Sequence, residues 1–126
     1  MSTLQSIGQI AIRTHDLPRA VAFYRDALGL EYLFEAGPLA FLRCGDVRLM
    51  LAVPEGPETD HPSSILYFRV ADIDAARGEL LARGVGFEDE PHLIARMPDH
   101  DLWMTFFRDP DGNLHGLMSE VSPGSR

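Results

Sequence analysis

The amino-acid sequence repeats one strand–helix–turn pattern in its two halves, and this repeat constrains the fold more than any motif does. In the first half an apolar segment starting at Ile10 runs through Asp16 into a helical pattern that ends at Gly29. In the second half a segment starting at Leu66 runs through Asp72, 56 residues after Asp16, into a helical pattern that ends at Gly84. A repeat that covers the whole chain predicts two equivalent supersecondary units.

Composition narrows the class of protein. The chain has 126 residues, 45% of them hydrophobic, which is enough for the core of one compact domain. The formal net charge of -8 argues against a nucleic-acid or anionic-membrane partner, because either would favour a basic surface. The single cysteine, Cys44, excludes an intrachain disulfide and a cysteine-based metal cluster, so a reducing cytoplasmic location is expected.

Hydrophobic periodicity and turn residues predict the elements. A single domain of two modules is expected, about residues 5–53 and 63–121, joined by the Pro-rich linker 54–62. Helices are predicted over 18–28 and 72–82, capped by Asp16 and Asp72. Residues 122–126 are expected to fray. Extended segments are predicted over residues 5–14, 30–35, 38–43, 47–53, 64–70, 85–89, 92–96, 102–108 and 114–121.

Three motifs carry a resemblance to a known family. Residues Asp16 to Tyr24 open the first helix, Leu28 to Leu30 close it, and Phe107 to Asn113 precede the last strand. Together with the repeat, they resemble the glyoxalase / bleomycin-resistance / extradiol-dioxygenase superfamily, also called vicinal oxygen chelate proteins. The resemblance implies an α+β fold of two tandem βαβββ modules, a groove between mixed sheets, and a homodimer. It implies no particular activity, because this fold hosts enzymes and binding proteins alike.

The resemblance also locates four positions at which metal-dependent members hold a divalent ion. Counting from the motifs, these positions fall on Gln9, Met50, Ile65 and Gly116, and the 56-residue repeat relates Gln9 to Ile65. Only Gln9 offers an oxygen donor suited to such an ion, since a thioether is a poor ligand for it. No metal or other cofactor is therefore predicted. Gly116, where the family often has Glu, is expected to leave free volume.

Strand alternation then predicts the groove-facing residues. An apolar floor with arginines toward its ends favours a small, mostly apolar ligand, with an anionic group as one option. His92 and His100 lie in a polar segment and, with Tyr67, are the candidate catalytic residues. His115 is expected to point to the opposite face as a structural histidine. The predicted ligand-binding residues are Gln9, Arg13, Arg48, Met50, Ile65, Tyr67, Arg69, Gly116 and Met118.

Three functions compete at this point. The first is a metal-independent protein that binds a small molecule, and it is favoured because the ligand set is lost. The second is a lyase, isomerase or dioxygenase of the same superfamily that uses an unorthodox metal site or histidine-based acid–base catalysis. The third is a structural or regulatory dimer with no small ligand. Whether the protein is an enzyme is left open by the sequence.

Overall fold

The computed structural model describes residues 3–126. The chain divides into two compact units, and the boundary between them in the sequence lies between Ser63 and Ser64. We call them unit 1 and unit 2. In unit 1 the elements are β1 (Gln9–Arg13), α1 (Leu17–Ala22), β2 (Glu31–Ala36), β3 (Leu39–Cys44) and β4 (Val47–Ala52). In unit 2 they are β5 (Leu66–Arg69), α2 (Ile73–Ala82), β6 (His92–Arg96), β7 (Asp101–Arg108) and β8 (Leu114–Val121).

The two units have the same sheet topology. The strand order is β1-β4-β3-β2 in unit 1 and β5-β8-β7-β6 in unit 2. In each sheet the first and last strands of the unit pair in parallel, and the remaining pairs are antiparallel. The register is equivalent as well, because Ala11 pairs with Met50 and Tyr67 pairs with Gly116. The predicted α+β fold of tandem βαβββ modules is thereby confirmed.

Both helices begin at the predicted aspartates. The Asp16 carboxylate accepts a hydrogen bond from the Arg19 backbone N–H at 3.1 Å, and Asp72 accepts one from Ala75 at 3.0 Å. Each cap satisfies a backbone donor that the first helical turn leaves without a partner. The predicted first helix is not α-helical throughout, however. α1 ends at Ala22, and a π-helical turn over Phe23–Ala27 follows it, with the Leu28 N–H donating to the Phe23 carbonyl.

Two predicted segments differ from the structure. Residues 85–89 form no strand, and only Phe87 makes an isolated bridge, to Phe107. The expected frayed tail is instead attached to unit 2. The Arg126 guanidinium forms an ion pair with Asp74 and lies 4.3 Å from the centre of the Trp103 ring, so charge and stacking both hold it.

Each unit has its own core, between one face of the sheet and the helix. In unit 1 this core contains Ile12, Tyr24, Leu42, Leu49 and Leu51, all nearly inaccessible. In unit 2 it contains Ile73, Val85, Phe107, His115 and Leu117. The residues that alternate with these core residues along each strand lie on the opposite face of the sheet, which we call the outer face of that unit.

The motifs that carry the family resemblance have structural roles. Tyr24 is fully buried and contacts Phe23 edge-on, with ring centres 5.3 Å apart. Asp109 is buried in the turn before β8, where its carboxylate accepts hydrogen bonds from the Asp111 and Asn113 backbone N–H groups. Gly112 completes that turn with φ +81°, a conformation that favours glycine.

Candidate functional site

On the outer face of unit 1 a glutamine, an arginine and two phenylalanines contact one another in a row. The Arg48 Nε donates to the Gln9 Oε1 at 2.8 Å, and the same guanidinium lies 5.1 Å from the centre of the Phe41 ring. Phe41 in turn stacks on Phe34, with ring centres 4.6 Å apart and planes inclined by 28°. The Gln9 Nε2 donates to the Met50 sulfur at 3.5 Å, so both ends of this amide are engaged.

Arg13, also on the outer face of unit 1, belongs to a cluster with the linker. Its Nη1 lies 3.4 Å from the Asp60 Oδ1, and the His15 Nε2 donates to the same oxygen at 2.7 Å. The hydrogen bond from His15, with the charge of Arg13 adding to it, lowers the pKa of Asp60 below its ordinary value. The Arg13 backbone N–H also donates to Ser63, so the linker is tied to the end of β1.

The outer face of unit 2 is built from aromatic rings over a glycine. Tyr67 and Phe106 lie on the strands either side of Gly116, in register with it. Their rings meet edge-to-face with centres 6.1 Å apart. A Cβ added to Gly116 would lie 3.0 Å from a Tyr67 ring carbon and 3.1 Å from a Phe106 ring carbon. The expectation of free volume at Gly116 is therefore wrong, since the two rings occupy that space.

Arg69, on the outer face of unit 2, pairs with a carboxylate of its own unit. Arg69 forms an ion pair with Glu120, and the His100 Nε2 lies 2.8 Å from the other oxygen of that carboxylate. The His100 Nδ1 lies 2.7 Å from an Asp99 oxygen. His100 thus sits between two carboxylates, and Arg69 repeats in unit 2 the arginine–carboxylate–histidine arrangement of Arg13.

His92 has an environment suited to proton transfer. It begins β6 and is half-exposed, and its Nδ1 lies 3.1 Å from the Glu90 carbonyl oxygen and 3.6 Å from an Asp89 oxygen. Asp89 is itself held in place, because one of its carboxylate oxygens accepts hydrogen bonds from the Thr105 hydroxyl and the Phe106 backbone N–H. The His92 ring centre is 6.3 Å from that of Phe106. A histidine bonded to a backbone carbonyl, with a fixed carboxylate nearby, is a candidate for general acid–base catalysis.

The donor atoms at the four family metal positions do not fit a divalent ion. In unit 1 the Gln9 oxygen accepts a hydrogen bond from a guanidinium, and Met50 offers only a thioether. In unit 2 Ile65 and Gly116 have no donor side chain, and aromatic rings cover Gly116. Elsewhere within residues 3–126, no group of three or more His, Cys, Asp or Glu side chains is placed to hold a metal ion.

Several residues of these faces were not found from the sequence. Strand alternation could have identified Phe41, Phe106 and Glu120, which share faces with Met50, Gly116 and Met118. No sequence signal pairs Asp60 with Arg13 or Asp89 with His92, because each pair joins a strand to a distant or irregular segment. Ile65 and Met118 lie on the outer face of unit 2 as strand alternation predicts.

The tandem βαβββ units define a class of proteins by their fold. A comparison of the sequence with family models identifies that class. The family model of the Glyoxalase/Bleomycin resistance protein/Dioxygenase superfamily matches residues 6–116. The chain belongs to this superfamily.

The chain is also similar to individual proteins. The uncharacterized protein YraH of Bacillus subtilis is 30% identical over 123 residues, which cover 84% of this chain and 91% of YraH. A crystal structure of lactoylglutathione lyase from Agrobacterium tumefaciens is similar with a TM-score of 0.71 and 27% identity, over 92% of this chain and 94% of that one. An integron cassette protein from Vibrio cholerae matches with a TM-score of 0.78 at 20% identity, over 94% of this chain and 98% of that one, and shows the fold alone.

Neither helix within residues 3–126 is long and apolar enough to cross a membrane.

Proposed function

We propose that this protein binds a small, mostly apolar molecule on the outer faces of its sheets and does so without the divalent ion of its metal-dependent relatives. One observation carries the proposal: Tyr67 and Phe106 fill the space over Gly116 in which a family ligand side chain would lie. Exposed aromatic and aliphatic side chains on the same faces, Phe34, Ile65 and Tyr67, supply apolar contact area for a ligand.

The proposal includes the assembly and the compartment. A homodimer is expected, since the resemblance to short members of the superfamily implies one, and light scattering at several protein concentrations measures it. A cytoplasmic location is proposed from the single cysteine, Cys44, and from the acidic composition. A nucleic-acid partner is not expected at a net charge of -8.

A thermal-shift screen tests the ligand proposal, because a molecule that binds only the folded state raises its stability by mass action. Small aromatic and aliphatic compounds should raise the melting temperature equally with and without a chelator. Met50→Trp, which adds bulk on the outer face of unit 1, should weaken the best hit by about tenfold or more. Arg25→Ala, at an exposed position on the π-helical turn, is the matched control.

Two results would contradict the proposal. One is a stoichiometric divalent ion in the purified protein, measured by elemental analysis, together with loss of ligand binding after chelation. The other is a screen in which no compound stabilises the protein, which would favour the structural dimer.

A second candidate function, a superfamily enzyme, is favoured by the Asp89–His92 arrangement. A fixed carboxylate beside a half-exposed histidine, next to the aromatic rings of unit 2, provides a base for proton transfer. The similarity to a protein named lactoylglutathione lyase supports a lyase within this class. Incubation with lactoylglutathione tests it, and the enzyme candidate requires turnover that His92→Gln and Asp89→Asn both reduce by at least tenfold.

A further inference from the structure

The three arginines predicted to contact ligand differ in what already binds them. Arg13 and Arg69 each face a carboxylate of their own unit, Asp60 and Glu120 respectively. Arg48 instead donates to the neutral amide of Gln9 and stacks on Phe41. Its charge is therefore not compensated by any carboxylate that contacts it.

Arg43 adds a second positive charge beside Arg48. The two residues are directly opposite each other in the β3–β4 register, so their side chains leave the same face of the sheet. Glu31 lies across from Arg43 on the other side, but in the described part of the chain neither Arg43 nor Arg48 forms an ion pair with it or with any other carboxylate. Like charges at directly opposed positions destabilise a sheet, and a bound anion removes that cost.

The Arg48 guanidinium is also held in a fixed orientation. Its Nε donates a hydrogen bond to the Gln9 Oε1 at 2.8 Å. Its guanidinium lies over the ring of Phe41, which is only 8% exposed. The bond to Gln9 uses only Nε, so the Nη groups remain as donors for an anion. A guanidinium presents such donors in a planar fork that matches a carboxylate or a sulfonate. Because its position is set before binding, little side-chain entropy is lost when an anion arrives.

An apolar surface continues from this cation. Phe34 stacks on Phe41 and is 48% exposed, so one aromatic ring lies open at the far end of the row from Gln9. Rings bound against Phe34 and an anionic group bound by Arg48 would use the same outer face of unit 1. The outer face of unit 1 thus offers a ligand both an aromatic ring to stack on and a cation to bind.

We propose that unit 1 recognises an aromatic molecule bearing one anionic group, with Arg48 as the anion-binding residue, Arg43 as its second cation and Phe34 as the stacking surface. This inference rests on the proposed function and names the chemical class of its ligand. The Gln9 side chain acts as a positioning residue for Arg48.

Two fluorescent probes with the same rings test the proposal. 8-Anilinonaphthalene-1-sulfonate carries one sulfonate, and N-phenyl-1-naphthylamine lacks it. The wild-type protein should bind the sulfonate probe about tenfold more tightly, and this preference should shrink as salt is raised. Arg48→Met should remove the preference by weakening the sulfonate probe about tenfold, while binding of the neutral probe stays within about twofold.

Three further variants separate charge from packing. Arg48→Lys keeps the charge without the planar fork and should give an intermediate preference. Gln9→Ala should weaken only the sulfonate probe, by about threefold, because Arg48 loses its fixed position. Arg25→Met is the matched control, since Arg25 lies on the π-helical turn and pairs with Asp26, and it should leave both affinities within about twofold.

The outcomes distinguish this inference from the function on which it rests. Equal affinity for the two probes, or an equal loss of both in Arg48→Met, overturns the anion site and leaves apolar binding intact. A loss of the sulfonate probe in Arg25→Met as large as in Arg48→Met also overturns it. If neither probe binds the wild-type protein, both the inference and the proposed function fail.

Discussion

Unit 1 and unit 2 share one topology and one register but fill the same positions of the outer face differently. The pair Ala11 and Met50 of unit 1 corresponds to the pair Tyr67 and Gly116 of unit 2. In unit 1 the small residue is on the first strand and the large one on the last strand. In unit 2 the sizes are reversed.

The reversal keeps one large and one small side chain at this pair of positions in each unit. A sheet tolerates either arrangement if each paired position contributes one large and one small side chain, because packing density is what stability requires. The polar character differs at two equivalent positions, since Gln9 and Arg48 of unit 1 correspond to Ile65 and Leu114 of unit 2. Arg43 instead corresponds to another arginine, Arg108.

One of the differences between the two core faces predicts the largest effect. His115 of unit 2 corresponds to Leu49 of unit 1, and both are buried. Burial lowers the pKa of His115 to about 4, against an opposing influence of Asp109. Between pH 6.5 and 4 the unfolded state therefore takes up a proton that the folded state does not, and stability falls as the pH falls.

We expect His115→Leu, which copies unit 1, to remove this acid sensitivity. In the wild-type protein the loss between pH 7 and pH 4 should approach about 3 kcal/mol from this group, the free energy of a shift of roughly two pKa units or more. Urea unfolding at several pH values measures it. His61→Leu, at an exposed linker position, is the control, and an unchanged slope in His115→Leu would refute the assignment.

A second prediction tests whether Tyr67 and Gly116 can exchange large and small side chains. Gly116→Met should destabilise the protein by about 1–3 kcal/mol, because its Cβ meets the Tyr67 and Phe106 rings. Combining it with Tyr67→Ala recreates the Ala11–Met50 pair and should recover more than half of that loss. A double-mutant cycle from urea unfolding gives the coupling free energy. Additive losses would show that the two positions do not share one volume.

A third prediction asks whether equivalent helix caps contribute equally. Asp16→Ala and Asp72→Ala should each cost about 1 kcal/mol, because each removes one hydrogen bond to the first turn of a helix. Asn at either position retains the acceptor and serves as the conservative control. A loss at only one cap, seen in the midpoint of urea unfolding, would break the equivalence of the two helix starts.

The smallest effect on stability is expected at the cluster of Arg13, His15 and Asp60. Asp60→Asn removes the carboxylate shared by Arg13 and His15 and should lower the melting temperature less than either cap variant, since the cluster is partly exposed. The lowered pKa of Asp60 means that this contribution is present above its ordinary pKa near 3.8 and is lost as the pH falls below it. A loss that persists in high salt would contradict an electrostatic origin.

Much of the fold follows from the sequence, because it depends on local signals. Asp16 and Asp72 cap their helices, Gly112 adopts the left-handed turn, and alternation assigns Ile12 to the core and Ala11 to the outer face. The errors come where local signals are weak. Residues 85–89 have a strand-like composition but form only one bridge to β7, because the Asp89 carboxylate, rather than a backbone carbonyl, accepts the Phe106 N–H.

The sequence by itself determined the repeat, the superfamily and the faces on which Gln9, Arg48 and Tyr67 lie. These depend on residue identity and on a period of two along a strand. Only the tertiary structure decided which arginines are already neutralised and that rings fill the space over Gly116. Asp60 reaches Arg13, and Glu120 reaches Arg69, across 47 and 51 residues of chain. Such contacts follow from how distant segments pack, and no local pattern records them.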